Sequence, residues 1–577
     1  VEVIPELAEA ARATLGEAVE VRLGSVLEDA AAADGLGEGV PVVIGNPPWA
    51  NTGRANQGRW VRGLMGAWRP GGERKWNPGD SVKFLRWAQW LVERRGAGMV
   101  ALVTPSTWLD AVTLRRARRS LAETFDDLWL LDLHGNARKA ERCPDGSADE
   151  NVFGVQQGVA VALMVRGRGA GGPARVRHAD VWGARERKLG WLAGHDVAST
   201  RWRKVKATGE KCRFAPSRAS EALRAEYERG WRLTDIFRVW GNGLKTDRDR
   251  LFIAHDWDAL AARMRRFFSD EGVSPEFRMA YRVRDSSSYD LLARRKRTAF
   301  DAACIRPCLY RPFDVRWVYY QRGLTSRPGW RVLRHLVAGP NVALIASRTV
   351  YGAAAWRDVF VTQTLSEFGI MAARPGNSAP VFPLWAYPRE GGSPEPNLSA
   401  PFLAALRERV GGEATPEAAF GYLYAVLHAP AYRQRYQALL KMDYPRVPLP
   451  PDGERFAALA GIGGELVRLH LLEGKLSAAG LRFRGCGDRV VGTVRYEPEA
   501  GRVRPNAAGA CFEGVSPGVW GFHVGGYPVC RKWLKGRRGR ELSRRDVACF
   551  RRIVAAIEET LGLMAADDEA LGAMHRP

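Results

Sequence analysis

Val42–Ala50 reads VVIGNPPWA. Three β-branched residues in a row make a strand, Gly45 leaves room at its end, and Pro47 and Pro48 cannot donate to a ladder, so the strand stops at a turn carrying Asn46 and Trp49. Working outward, VEVI (1–4) is a short β run and Pro5–Leu15 an Ala-rich helix opened by Pro5. VEVRLGSVL (19–27) is a second strand. Downstream, Ser81–Arg95 is an amphipathic helix with Phe84, Leu85, Ala88 and Leu91 at helical spacing. GMVALVTP (98–105) is a buried strand, Leu114–Thr124 a helix, and LWLLDLHG (128–135) and GVAVALMVR (158–166) two more strands. Such alternation predicts a doubly wound α/β sheet over residues 1–166, with ligands expected at the carboxyl ends of its strands.

After Arg166 the texture changes. GRGAGGPARVRHAD (167–180) reads as a hinge, and residues 167–232 as a basic connector. From residue 233 to 577 short aromatic-rich strands give way to helices near 400–410 and 416–440, then to short β runs and a closing helix at Arg544–Leu563. This is read as a mixed α/β domain, with GGSPEPNLSAP (391–401) a break that would divide it into two lobes near 390–400.

A chain of 577 residues exceeds one ordinary core. No run approaches the ~18 apolar residues of a membrane span, so no membrane partner is expected. The chain opens on Val1, without a signal sequence, in what reads as the middle of a folded domain; a fragment of a longer protein is expected. A net charge of +24 suits a polyanion. Nucleic acid is favoured over an anionic membrane, because no basic amphipathic helix or lipidation motif is present. The eight cysteines form no C-x-x-C pair, so free thiols in a reducing cytoplasm are expected and no metal site.

The Asn46-Pro47-Pro48-Trp49 turn fits a specific chemical need. An exocyclic adenine amine is a poor nucleophile because its lone pair is delocalised into the ring. The Asn46 side-chain oxygen and the Pro47 carbonyl can hold both N–H groups, pulling the nitrogen towards sp³ character. Trp49 offers a flat face for a base turned out of the helix. Four such residues can also be an ordinary strand-ending turn; their position at the end of an α/β strand favours the chemical reading.

The segment resembles the motif of γ-class amino-methyltransferases that use S-adenosylmethionine. The resemblance implies that an acidic residue ending an earlier strand takes the ribose hydroxyls, and Glu2 matches it. It implies a second contact beside the cofactor's adenine, where this sequence has Ser25 followed by Val26, departing from the family's Asp or Asn. The Gly-rich cofactor loop should lie about 20 residues before Glu2, ahead of Val1. Further words, NVFGVQQGVAVALMVR (151–166), GNGLKTDRD (241–249), RPFDVRWVYY (311–320) and VWGFHVGGYPVCRKWLKGRRGRELS (519–543) among them, are similar to single-chain Type ISP restriction–modification enzymes. That resemblance implies upstream nuclease and translocase modules, absent here, and a DNA target-recognition domain at 233–577.

Two words carry their own physical case. NGLKTDRDR (242–250) is a Gly-bearing polar loop whose Asn242, Lys245, Arg248 and Arg250 suit phosphates or guanine edges. CRKWLKGRRGR (530–540), with Lys532 and Lys535, suits a grip on a phosphate backbone. A solvated turn and a solvated helix end are the plainer readings. RPFDVRWVYY is mostly a core β segment, and Arg306, Arg311 and Arg316 are read evenly as core residues or as DNA contacts. The expected function is site-specific transfer of a methyl group from S-adenosylmethionine to adenine N6 in double-stranded DNA. A non-catalytic specificity fragment is the alternative; methylation of RNA or of a protein glutamine is a third reading.

Overall fold

The structure, a computed structural model, describes residues 26–27, 39–49, 56–69, 78–137, 141–167, 172, 174–207, 212–216, 219–269, 272–286, 289–348, 350, 355–371, 378–389, 391–476, 480–485 and 488–572. The predicted strands at 1–4 and 19–25, the helix at Pro5–Leu15, and the candidate cofactor contacts Glu2 and Ser25 lie outside the described residues. The chain divides into two compact units at 218/219.

The first unit contains β1 Val42–Gly45, α1 Arg59–Gly66, α2 Asp80–Arg95, β2 Gly98–Pro105, α3 Arg115–Thr124, β3 Asp127–His134, β4 Val159–Arg166, β5 Arg175–Asp180, α4 Arg185–Gly194 and β6 Arg203–Val205. Its six described strands form one sheet in the order β1-β2-β4-β3-β5-β6. β1 and β2 are parallel, as are β3 and β5; β4 runs antiparallel to both its neighbours and β6 to β5. The sheet is therefore mixed in strand direction among the described residues, with the strands predicted at 1–4 and 19–25 outside them. The β1–β2 pair needs a crossover, which α1 and α2 supply, whereas β3 can return beside itself as β4 without a helix.

α2 begins with Asp80 in its first turn, carries Arg94 and Arg95 in its last, and ends at Gly96 with φ +77°. It buries Leu85, Ala88, Leu91 and Val92 against Val100, Leu102, Leu128, Leu130, Ala160, Ala162 and Met164 of the sheet. Alternate residues Leu131, Leu133 and Val159 gather with Ala179 and Val181 in a second cluster, as a period of two requires. β1, expected as a buried strand, is half open: Val42 is 59% and Ile44 78% exposed. The sheet also runs past Arg166. β5 and β6 belong to it, so residues 175–205 of the supposed connector are part of the first unit.

In the second unit the strands that build its three four-stranded sheets are, in chain order, β7 Gly241–Asn242, β8 Ile253–Ala254, β9 Ile305–Arg311, β10 Asp314–Tyr319, β11 Ala343–Ala346, β12 Val359–Thr362, β13 Leu365–Ser366, β14 Pro380–Pro383, β15 Arg482–Arg484, β16 Arg495–Glu497, β17 Arg502–Arg504 and β18 Cys511–Glu513. The sheets run β13-β9-β10-β8, β12-β11-β14-β7 and β15-β18-β17-β16. Helices α5 Pro416–His428 and α6 Gly453–His470 pack together so closely that a Cβ on Gly463 would lie 1.8 Å from the Gly421 carbonyl oxygen. The expected break at 390–400 does not divide this unit: Trp385 pairs with Pro396, and Leu398 is buried in one core with Phe237 and Phe402. No helix among the described residues is long and apolar enough to cross a membrane.

Candidate active site

At one end of the first sheet the carboxyl ends of β1, β2 and β3 meet the start of β4 (Pro105 opposite Val159, Val159 opposite His134). The chain leaves β1 there through Asn46, Pro47, Pro48 and Trp49. Pro47 is buried, Asn46 and Pro48 are exposed, and Trp49 is half-buried. Trp49 Nε1 donates to Asn46 Oδ1 at 2.9 Å. Its ring meets Phe153 edge to face, with centroids 5.9 Å apart and planes at 84°. Gln157 Nε2 donates to the Trp49 carbonyl at 3.4 Å. The four predicted residues are thus joined by a second segment to which no role was assigned.

Asn151 shapes that segment. Its Oδ1 accepts from the Phe153 and Val155 amides at 2.9 and 3.3 Å, and its Nδ2 donates to the Gln157 and Gly135 carbonyls at 2.6 and 3.1 Å. One amide therefore closes the turn and ties it to the end of β3. A side chain on Gly135 (φ +75°) would place its Cβ 2.6 Å from the Asn151 Cα, so the approach requires glycine. Beneath it Lys188 and Asp149 form an ion pair of 2.7 Å with both side chains fully buried. Asp149 also accepts the Gly135 and Gly183 amides at 2.6 and 2.9 Å, and Lys188 donates to the Leu133 and Glu150 carbonyls at 2.7 and 2.6 Å.

His134 ends β3 with φ +52°, its ring stacked on Trp182. Its Nε2 lies 2.9 Å from Asp180 Oδ1 and its Nδ1 3.3 Å from Glu141 Oε1. Burial opposes the imidazolium, but the hydrogen bonds to Asp180 and Glu141 and the charge of Asp132 outweigh it and raise His134 to about 9. Burial raises Asp132 to about 6 against the pull of His134, and burial lowers His178 to about 4. Asp132, His178 and Asp180 offer three metal-ligand atoms within 4.8 Å of one another. Asp180 already pairs through both oxygens, with His134 and with Arg203, which makes an ion network the simpler description. Both nitrogens of His178 lack a hydrogen-bond partner.

Of the candidate cofactor contacts only Val26 is described; it is buried in a turn, and its carbonyl accepts from Trp60 Nε1 at 3.3 Å. The candidate DNA contacts separate. Asn242 and Arg250 are exposed, and Lys245 pairs with Asp247 at 2.8 Å. Arg248 does not face solvent: it is 7% exposed, donates twice to the Arg284 carbonyl at 2.8 and 2.6 Å, and lies over Tyr289. A buried guanidinium committed to a backbone carbonyl is a structural clamp, so the proposed base-reading role for Arg248 is withdrawn. Lys535 is exposed, whereas Lys532 is half-buried over the Tyr527 ring at 4.7 Å. Burial and the nearby Arg311 and Arg316 hold its ammonium below the usual range. Arg311 and Arg316 pair with Glu367 and Asp314 at 2.6 and 2.7 Å, as core residues should, while Arg306 is exposed.

Phe153, Gln157 and Asn151 escaped the sequence reading, although an Asn opening a Gly-containing segment before a strand is a turn signal. No curated protein sequence matches the chain. Among solved structures it is similar to a DrdV–DNA complex (TM-score 0.69, 21% identity, 93% of this chain and 57% of that one). It is similar also to the ATP-dependent Type ISP restriction–modification enzyme LlaBIII bound to DNA (0.70, 17%, 91% and 37%). A third is a nuclease-deletion mutant of the Type ISP enzyme LlaGI with a DNA substrate mimic (0.67, 18%, 92% and 45%). The chain thus spans between 37% and 57% of the length of these structures, with which it shares its fold. The profile of the Type ISP C-terminal specificity domain matches residues 235–565, more than half of the sequence, and the chain belongs to that family.

Proposed function

We propose that the chain is the methyltransferase and target-recognition part of a site-specific DNA methyltransferase acting on adenine N6 in double-stranded DNA, within a restriction–modification enzyme. The observation that carries this reading is the Asn46–Trp49 turn at the carboxyl end of β1, with Asn46 Oδ1 at 2.9 Å from Trp49 Nε1 and Phe153 against the Trp49 ring. The amine of a target adenine would donate one N–H to Asn46 Oδ1 and the other to the Pro47 carbonyl. Both bonds strengthen as the nitrogen becomes tetrahedral, so they favour the transition state over the ground state. Asn46 is exposed, and the N6 proton can leave to water. Trp49 and Phe153 supply the apolar walls for the base.

S-adenosylmethionine supplies the electrophilic methyl group in this reaction. Of the residues assigned to it Val26 alone lies in the described structure. The family match over 235–565 supports DNA reading by the second unit, and the solved relatives bear DNA in their complexes. Because that match covers the specificity domain, a chain that reads DNA without methylating it is the second reading. The test is transfer of labelled methyl groups into DNA by the enzyme carrying its upstream segment, with and without Asn46→Ala. Loss of transfer with DNA binding kept is expected; equal transfer by both would sink the catalytic assignment.

A further inference from the structure

The 242–250 loop does not act alone. The Lys245 amide donates to the Arg327 carbonyl at 2.8 Å and the Arg327 amide to the Lys245 carbonyl at 3.1 Å. Two residues on, Gly329 has φ +57°, and a Cβ there would lie 2.5 Å from the Asn242 carbonyl oxygen, so only glycine lets the two backbones touch. This contact holds Trp330 between two clefts. One, of about 250 Å³, is lined by Asn242, Arg327 and Arg331. The other, of about 390 Å³, is lined by Arg322, Arg334 and Arg389.

Trp330 is half-buried, stacked on Tyr320 at 5.8 Å with Arg322 over its ring at 5.6 Å. Arg322, Arg327, Arg331 and Arg389 are exposed and Arg334 is half-buried. Among the described residues none of these five forms an ion pair, although Arg311, Arg316 and Arg537 of the same unit all do. Asp247, which lies in the loop, is held by Lys245 and Ser326 at 2.8 Å each and also feels the charge of Arg327. Burial and the positive charge of Arg389 lower Arg334. Five like charges beside one acid that is already paired with Lys245 repel one another, and a polyanion removes that repulsion.

We infer that the two clefts about Trp330, with Arg322, Arg327, Arg331 and Arg389, are the surface by which the second unit grips duplex DNA, Arg334 being held to the Tyr387 carbonyl at 2.9 Å. Guanidinium forks match phosphodiester oxygens bidentately, and a flat indole between them suits a sugar or a base edge. This rests on the DNA reading above and adds to it a place: the Trp330 ridge, in place of Arg248, is where loop 242–245 meets its ligand.

The test is a salt series of binding isotherms on a duplex and on a single strand of the same length, with the whole chain. Arg327→Ala with Arg331→Ala, and separately Arg322→Ala with Arg389→Ala, should each weaken duplex binding at least about tenfold and flatten the salt slope by about two units. Arg407→Ala with Arg409→Ala, which removes equal charge from an exposed helix face, should change it little. Equal losses in all three double variants would mean that net charge alone is responsible and would overturn the surface. So would unchanged binding in the first two, or a preference for the single strand. If the parent chain binds no duplex, the DNA reading itself fails, and the two failures are told apart.

Discussion

Trp49 donates its indole N–H to the same oxygen, Asn46 Oδ1, that the amine of a target base would need. The bond fixes which end of the Asn46 amide faces the ring. An amide oxygen has a second lone pair, so the indole and an incoming N–H can be accepted together. A phenyl ring keeps the stacking face and removes the donor. Trp49→Phe is therefore expected to hold a turned-out base nearly as well as the parent, with a lower kcat because the amide is free to turn. Trp49→Ala should weaken base capture by ~1–3 kcal/mol. Fluorescence of 2-aminopurine at the target position reports capture and single-turnover methylation reports the step. Equal kcat in Trp49→Phe and parent would remove the orienting role.

Asn151 reaches the same loop from the other side. Its side chain makes four hydrogen bonds that shape the turn carrying Phe153 and Gln157. Asn151→Ala leaves two amides and two carbonyls to water, at a cost of ~1–3 kcal/mol each where they stay buried. The expected outcome is a fall in kcat larger than any change in duplex affinity, since the proposed DNA surface of the second unit is untouched. A variant with unaltered kcat and normal 2-aminopurine signal would show that the turn holds its shape without the amide.

Much of the first sheet was legible because β2, β3 and β4 bury apolar runs on one or both faces. Their direction was not: periodicity says which face is inside, and the antiparallel place of β4 is set by partners 25 to 68 residues away in the chain. β5 was missed because its buried positions include His178 and its outward Arg175 and Arg177 pair with Asp127, so polar residues hide the alternation. Arg248 shows the opposite error. A basic loop was read as free to meet phosphates or guanine edges, yet a turn with Asp247 at φ +56° aims this guanidinium inward at the Arg284 carbonyl. The Asn46–Trp49 turn was legible because its four residues are adjacent in the sequence; the Trp330 ridge was not, since it joins segments about 80 residues apart.

The Lys188–Asp149 pair gives a stability test. Both side chains are fully buried, and four hydrogen bonds, to Leu133 of β3, Gly135, Glu150 and Gly183, radiate from them. Lys188→Met leaves a buried carboxylate without its cation and should destabilise the first unit by ~3–5 kcal/mol. Adding Asp149→Leu removes the stranded charge but also strands the Gly135 and Gly183 amides. The double variant should therefore recover only part of the loss. Denaturant unfolding monitored on the first unit checks this, and full recovery would mean that those backbone bonds contribute little.

The last prediction is a pH dependence at the end of β3. His134 is raised to about 9 in the folded chain against 6.5 as its ordinary value; burial opposes the charge, and Asp180, Glu141 and Asp132 overcome it. A raised pKa means that the folded state holds the proton more tightly, so the contribution is complete below about 6.5 and is lost as pH rises through about 9. The neighbours do not share this window. Asp132, raised to about 6 by burial, has lost its contribution by then, and His178, lowered to about 4 by burial, is neutral throughout. Stability of the first unit should accordingly fall by about 2–3 kcal/mol between pH 6.5 and 9.5 through this residue. His134→Asn is the suitable variant, because Asn tolerates the left-handed backbone that His134 adopts at φ +52°. The variant should be less stable than the parent at pH 6.5 and should approach it by pH 9.5. Parallel curves for the two proteins over that range would show that the imidazolium is not what holds β3 to β5.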